Sequence, residues 1–179
     1  MKVLRPTSPA EAIAMKAEYG ASRFVAGGTG LQLEWARGLP KPDVMIDMVR
    51  IAGLTGVGVA DGMIRIGALG PLNTLIASPD IAARLPLLHQ ALKSVAGPAV
   101  RNLATIGGNV AGRTGCLLPA LLVLKADLEI VDADGVRRMA LADWLGTPVD
   151  GTTLITAIHL PAQQAGHPLL RTYARRDLV

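Results

Sequence analysis

A chain of 179 residues, 50% of them hydrophobic, carries enough apolar side chains for one substantial core or two smaller ones. Its formal net charge of +4 suits a polyanionic ligand, but aromatic residues make up only 3% and no basic stripe alternates with them, which argues against a nucleic-acid surface. The longest apolar stretch, Cys116 to Leu124, contains Pro119 and stops at Lys125, too short to cross a bilayer. Met1 to Pro6 lacks the continuous apolar run of a signal peptide, so the expectation is a cytoplasmic protein. A lone cysteine, Cys116, permits neither an intrachain disulfide nor an iron–sulfur cluster held by this chain alone. His89, His159 and His167 have no partners at metal-ligand spacing, and no metal site is expected.

In chain order, Ser8-Pro9-Ala10-Glu11 predicts a helix start: Ser8 as cap, Pro9 at the first position, Glu11 closing a capping box. Helix formers run to Tyr19 and Gly20 stops them. Arg23 to Ala26 reads as a short strand emptying into Gly27-Gly28-Thr29-Gly30, followed by a short helix from Leu31 to Arg37 and a strand from Asp43 to Asp47. Leu54 to Val59 and Met63 to Ile66 flank Asp61-Gly62, a two-residue hairpin signal. Pro71 to Ala77 is expected to be helical, and so is Asp80 to Val95, where Ile81, Leu85, Leu88, Leu92 and Val95 mark a buried face. Leu117 to Leu124 is a further helix. Leu128 to Val131 and Val136 to Met139 surround Asp134-Gly135 as a second hairpin of the same type. A short helix from Leu141 to Leu145 and strands at Leu154 to Leu160 and Leu169 to Tyr173 complete the chain. Hairpins mixed with crossovers indicate α+β.

Two segments could carry chemistry. In Val25-Ala26-Gly27-Gly28-Thr29-Gly30-Leu31 a strand runs through glycines into a helix, where backbone N–H groups form a concave anion site and Thr29 adds a hydroxyl. Thr105-Ile106-Gly107-Gly108-Asn109, after Val100 to Ala104, repeats the theme with an amide side chain. Neither has the Gly-x-Gly-x-x-Gly dinucleotide spacing, and no Gly-Lys-Ser/Thr occurs, which disfavours Rossmann and P-loop sites. Two such turns can grip one diphosphate from opposite sides; each can equally be an independent tight turn. Elsewhere, Asp43 and Asp47 read as solvated strand ends, Trp35 and Trp144 as packing residues. Arg101 is open between neutralising a phosphate and pairing with Asp127, and Arg171, Arg175 and Arg176 form a solvated or partner-facing end.

Taken together, the two segments resemble the FAD-binding subunit of the molybdenum hydroxylases: the carbon monoxide dehydrogenase medium subunit and the flavin domain of xanthine dehydrogenase. Ala26-Gly27-Gly28-Thr29-Gly30-Leu31 matches the family's first motif, and Arg101-Asn102-Leu103-Ala104-Thr105-Ile106-Gly107-Gly108-Asn109 its second. Val44 to Met48, Ile64 to Ala68 and Leu118 to Leu124 resemble it as well, so the likeness covers nearly the whole chain. The resemblance implies a two-lobed FAD fold of the vanillyl-alcohol-oxidase-like, PCMH-type kind, with a small lobe over residues 1–52 and a larger one over 53–179. FAD would lie between the lobes, its diphosphate held by the backbone of Ala26 to Gly30 and of Thr105 to Asn109, with the Thr29, Thr105 and Asn109 side chains assisting. It also implies an oxidoreductase component: a molybdopterin-binding large subunit oxidises substrate, a two-iron iron–sulfur small subunit relays electrons, and the flavin passes them to an acceptor, NAD being one candidate.

The chain departs from the family pattern in three places. The Asp expected beyond the second motif is missing from Gly112-Arg113-Thr114-Gly115-Cys116-Leu117, where Cys116 reads as a small buried hydrophobe rather than a flavin neighbour. Gly30 stands where Ser or Asp is usual. The family's third, C-terminal domain should begin about where this chain ends, so its absence is expected. The missing Asp and the short length favour one alternative, a family member serving as a structural or assembly module without FAD; the intact glycine pairs with Thr and Asn argue against it.

Overall fold

Ser8 starts the first helix as its sequence requires. The chain runs through β1 (Lys2–Leu4), α1 (Pro9–Glu18), β2 (Arg23–Val25), α2 (Thr29–Ala36) and β3 (Val44–Asp47) in a computed structural model that describes residues 1–148 and 151–162. The Ser8 hydroxyl accepts from the N–H of Glu11 at 3.2 Å, and the Glu11 carboxylate reaches back to the N–H of Thr7 at 2.6 Å and its hydroxyl at 2.9 Å. β1 and β2 both pair in parallel with β3, giving the order β1-β3-β2. The β-α-β texture of the first fifty residues is therefore a small parallel sheet.

The remaining elements are β4 (Val57–Ala60), β5 (Met63–Gly67), α3 (Leu72–Ile76), α4 (Pro79–Arg84), α5 (Pro86–Ser94), α6 (Pro98–Arg101), α7 (Ile106–Ala111), α8 (Leu118–Val123), β6 (Asp127–Asp132), β7 (Gly135–Ala140), α9 (Leu141–Gly146) and β8 (Leu154–Pro161). Their strands form one antiparallel sheet in the order β4-β5-β8-β6-β7. β8 lies at its centre, which explains why it reads as a nearly unbroken apolar run.

Two expectations need correction. The single helix predicted from Asp80 to Val95 is two helices, because Pro86 has no N–H to donate and holds Leu85 at φ −127°, ψ 57°, outside the helical region. The two hairpins also differ in turn type. Asp61 and Gly62 both take positive φ, 51° and 72°, whereas in the second hairpin Asp132 pairs with Gly135, the turn falls on Ala133-Asp134, and only Gly135 is positive at 108°. The strand expected at 169–173, His167 and the three late arginines lie outside the described residues.

The larger core fills the space between one face of the five-stranded sheet and the helices, with Ile64, Ile66, Leu88, Leu92, Leu121 and Ile158 buried there. A smaller core joins Ala12, Ile46 and Met48 to Leu54, Leu69 and Leu154, so the two sheets are tied by shared apolar contacts. No helix among the described residues is long and apolar enough to cross a membrane.

A cleft between two glycine turns

The first glycine motif sits where β2 leaves the parallel sheet and the chain enters α2, the second of its two crossovers. Gly28 caps that helix in the left-handed region at φ 70°, ψ −4°, a conformation that admits glycine at little cost. The helix begins at Thr29, two residues earlier than the sequence suggests, so Thr29, Gly30 and Leu31 supply its first turn. The first helical bond at this end is from the N–H of Gln32 to the carbonyl of Gly28, and no acceptor among the described residues stands against the N–H groups of Thr29, Gly30 or Leu31. Gly28 and Gly30 have open space where a Cβ would stand. Leu31 is buried and anchors the turn.

Gly27 has a different reason to be glycine. A Cβ there would lie 1.7 Å from the carbonyl oxygen of Leu103. Leu103 and Ala104 lead into the second motif, so this close approach brings together two segments more than seventy residues apart in the chain.

The second motif is a six-residue helix, α7, whose leading amides are satisfied within the protein. The N–H of Ile106 donates to Gly70 O at 3.2 Å and that of Gly107 to Ala68 O at 2.8 Å. Thr105, buried, accepts from Gly108 N–H through its hydroxyl at 3.1 Å and from Asn109 N–H through its carbonyl at 3.0 Å. Gly107 packs against Ala68, whose Cβ lies 2.6 Å from where its own would stand, while Gly108 is exposed. The Asn109 side chain turns to the following loop: its carbonyl oxygen accepts from Leu117 N–H at 3.1 Å and its amide faces Cys116 Sγ at 3.8 Å. This pinning sends Leu117 inward and Cys116 outward, so the expectation of a buried cysteine is corrected; Cys116 is exposed.

A cavity of about 560 Å³ opens beside the two turns. Ala26 and Gly107-Gly108 line it at one end, and β2 carries it down to Ser22 and Lys16. Phe24, Met48, Met139 and Trp144 make its walls largely apolar. The sequence singled out only Trp144 among these walls, and for packing. The others come from distant elements with no local motif to betray them. Trp144 is buried as expected, and the Arg113 guanidinium stacks on it with its carbon 4.1 Å from the ring centre while donating to the carbonyls of Leu145 and Thr147. Arg101 takes neither role considered for it. It donates to Asn73 Oδ1 at 3.1 Å and to the carbonyls of Lys93, Val95 and Ala96 at 3.1, 2.9 and 2.7 Å, closing the C-terminal end of α5. Asp47, expected to be a solvated strand end, is half-buried and accepts from Arg5 and from the N–H of Val49, capping the turn that follows β3.

A separate polar cluster lies between α1 and the large sheet. Glu129 accepts from Arg65 at 3.2 Å, Thr156 at 2.9 Å and His159 at 3.1 Å. Burial raises the Glu129 pKa, but the bonds from Thr156, His159 and Arg65 outweigh it and leave the carboxyl below its ordinary value. His159 is only 3% exposed, and burial holds its pKa below the ordinary value despite the bond to Glu129. Among the described residues no group of three or more His, Cys, Asp or Glu could hold a metal ion.

These features have relatives. Residues 1–163 match the family described as the FAD binding domain in molybdopterin dehydrogenase. The carbon monoxide dehydrogenase medium chain of Afipia carboxidovorans is 34% identical over 170 residues, covering 91% of this chain and 59% of the relative. A xanthine dehydrogenase FAD-binding subunit of Escherichia coli is 31% identical over 184 residues, covering 98% and 63%. Among solved structures, the Cu,Mo-CO dehydrogenase in its cyanide-inactivated form superposes with a TM-score of 0.85 at 31% identity, over 93% of this chain and 60% of that one. The fold is the α+β, PCMH-type FAD fold that the sequence implies. The chain spans about three fifths of the length of the relatives it matches. On this likeness of sequence, motif order and fold, the chain belongs to the FAD-binding domain family of the molybdopterin dehydrogenases.

Proposed function

We propose that this chain binds FAD and serves as the electron-transfer component of a multi-subunit molybdenum hydroxylase. The observation that carries the reading is the first glycine turn: three N–H groups without acceptors among the described residues behind a left-handed Gly28, locked through Gly27 to the segment leading into the second turn. The residues fit a dinucleotide. The backbone of Ala26 to Leu31 holds the diphosphate, with the Thr29 hydroxyl assisting. Thr105 to Asn109 form the facing wall, where Gly108 leaves room for a ligand and Thr105, Ile106, Gly107 and Asn109 keep that wall in place. The lobe boundary falls at residue 52. Bound FAD supplies a two-electron acceptor that can release electrons singly or in pairs; the chain's residues hold it and exclude water from one side.

The relatives named as subunits of carbon monoxide and xanthine dehydrogenases support an oxidoreductase role. In it a molybdopterin-binding large subunit oxidises substrate, and a two-iron iron–sulfur small subunit delivers electrons to this chain, which passes them to an acceptor such as NAD. The chain alone does not oxidise the organic substrate. A second reading, a structural module without FAD, draws on the α7 amides, which the protein itself satisfies. Flavin absorbance retained by FAD-supplemented protein after desalting favours the first reading; its complete loss favours the second.

A further inference from the structure

Among the described residues the two sheets end in four open edges, and all but one carry charge. β1 and β2 bound the small sheet with Lys2 and Arg23, and β7 bounds the large one with Arg137 and Arg138. Charged side chains on an edge keep its unpaired backbone from joining another strand. β4, the other edge of the large sheet, reads Val57-Gly58-Val59-Ala60 and has neither a charge nor a proline. Gly58, Val59 and Ala60 are exposed, Val59 by 40%. In the register with β5, Ala60 faces Met63 and Gly58 faces Arg65, and Gly56 O accepts from Gly67 N–H at 3.0 Å. Gly56, Gly58 and Ala60 therefore turn their backbone bonds towards β5. The N–H and C=O groups of Val57 and Val59 point outward and meet no partner among the described residues. Their side chains share the face of Ile64 and Ile66, where Val57 packs against the larger core.

We propose that β4 is the interface through which two copies of this chain associate, pairing antiparallel about a two-fold axis at Gly58. None of its residues lines the cleft beside the glycine turns, so the inference stands apart from the FAD reading. The edge is self-complementary. With Gly58 opposite Gly58 of the second copy, Val57 of each copy stands opposite Val59 of the other, and each such pair exchanges both of its N–H···O bonds. Gly58 then sits at the non-bonded position, where strands come closest, about 4.5 Å between Cα atoms, and a residue without a side chain keeps that position clear. A Cβ on Gly58 would meet nothing within the chain, so its own fold does not require the glycine. Asp61 falls opposite Thr55, and no like charges meet along the pairing. On the core side the valines of both copies close a strip that Val59 otherwise leaves in solvent, and the two large sheets become one. An uncharged edge offers a foreign strand no selecting charge, whereas the chain's own β4 fits it residue for residue.

The test is sedimentation velocity of the full chain over a concentration series, in wild type, Gly58→Lys and Val59→Pro. Four residues a side bury much less than a standard interface, so a reversible dimer with a dissociation constant on the order of 100 µM is expected. Gly58→Lys sets two ammonium groups against each other at the closest approach, and Val59→Pro removes an outward N–H; each should weaken the dimer by at least about tenfold. Gly58→Lys disturbs no contact within the chain and should melt as wild type when dilute, which separates lost pairing from lost folding. In a Cys116→Ser background, Gly58→Cys should cross-link to itself on oxidation, since the facing Cα separation lies within disulfide reach. A chain that stays monomeric at about ten times that dissociation constant overturns the inference and leaves the edge to a strand of a different protein. A dimer that Gly58→Lys leaves intact, or that Gly58→Cys fails to cross-link, overturns the pairing.

Discussion

A methyl group on Gly27 would fall 1.7 Å from the Leu103 carbonyl oxygen, one on Gly28 would sit in open space on a φ of 70°, and one on Gly30 would meet nothing. The three glycines are thus constrained differently, and their substitutions should separate. Gly27→Ala must displace backbone and should cost about 3 kcal/mol in urea unfolding. Gly28→Ala should cost about 1–2 kcal/mol through the left-handed conformation alone. Gly30→Ser should leave stability within about 0.5 kcal/mol and tighten FAD by up to about fivefold, since it adds a hydroxyl beside N–H groups that have no acceptor among the described residues. A Gly30→Ser protein that binds FAD no better than wild type would show that the diphosphate lies elsewhere. The sequence shows that glycines stand here, but it cannot say which of them faces a carbonyl, because Leu103 arrives from seventy residues away. Asn109 is the converse case. Its motif position suggests a ligand contact, while its side chain fastens the loop that ends at Leu117.

At the scale of elements, local signals carried far: the capped start of α1, the Asp61-Gly62 turn and the apolar run of β8 all stand where their residues put them. The failures are equally physical. Pro86 outweighed an unbroken apolar periodicity, and α6, a single turn, has no period to read. Arg101, left open by the sequence between a phosphate contact and a pair with Asp127, is a clasp on α5. Arg101→Ala should therefore destabilise the protein by about 2 kcal/mol while changing FAD affinity less than twofold; a large affinity loss at unchanged stability would restore the phosphate role. The Glu129–His159 cluster sets the acid response of the large sheet. His159 lies below its ordinary pKa of 6.5, so folding favours its neutral form and stability is full above that pH. Stability falls as pH drops below 6.5 towards the folded value, and Glu129 adds a second loss as pH falls from 4.5. Denaturant midpoints between pH 8 and 4 should decline in this order, and His159→Gln should remove the first step. A midpoint that rises on acidification would contradict the assignment.

For the molecule as a whole, two sheets meet across a cleft that neither builds alone. The order of the two glycine motifs was enough to read the fold and the family from the sequence, since each motif is contiguous. The cleft was not legible: Ser22, Met48, Met139 and Trp144 converge only after both sheets form. The central claim, that this chain holds FAD between its glycine turns, is tested most directly by titrating the purified chain with FAD and recording its visible spectrum after desalting. One equivalent of flavin retained per chain, with a matching rise in melting temperature, is the result predicted. Flavin that washes out completely and leaves the melting temperature unmoved would contradict it.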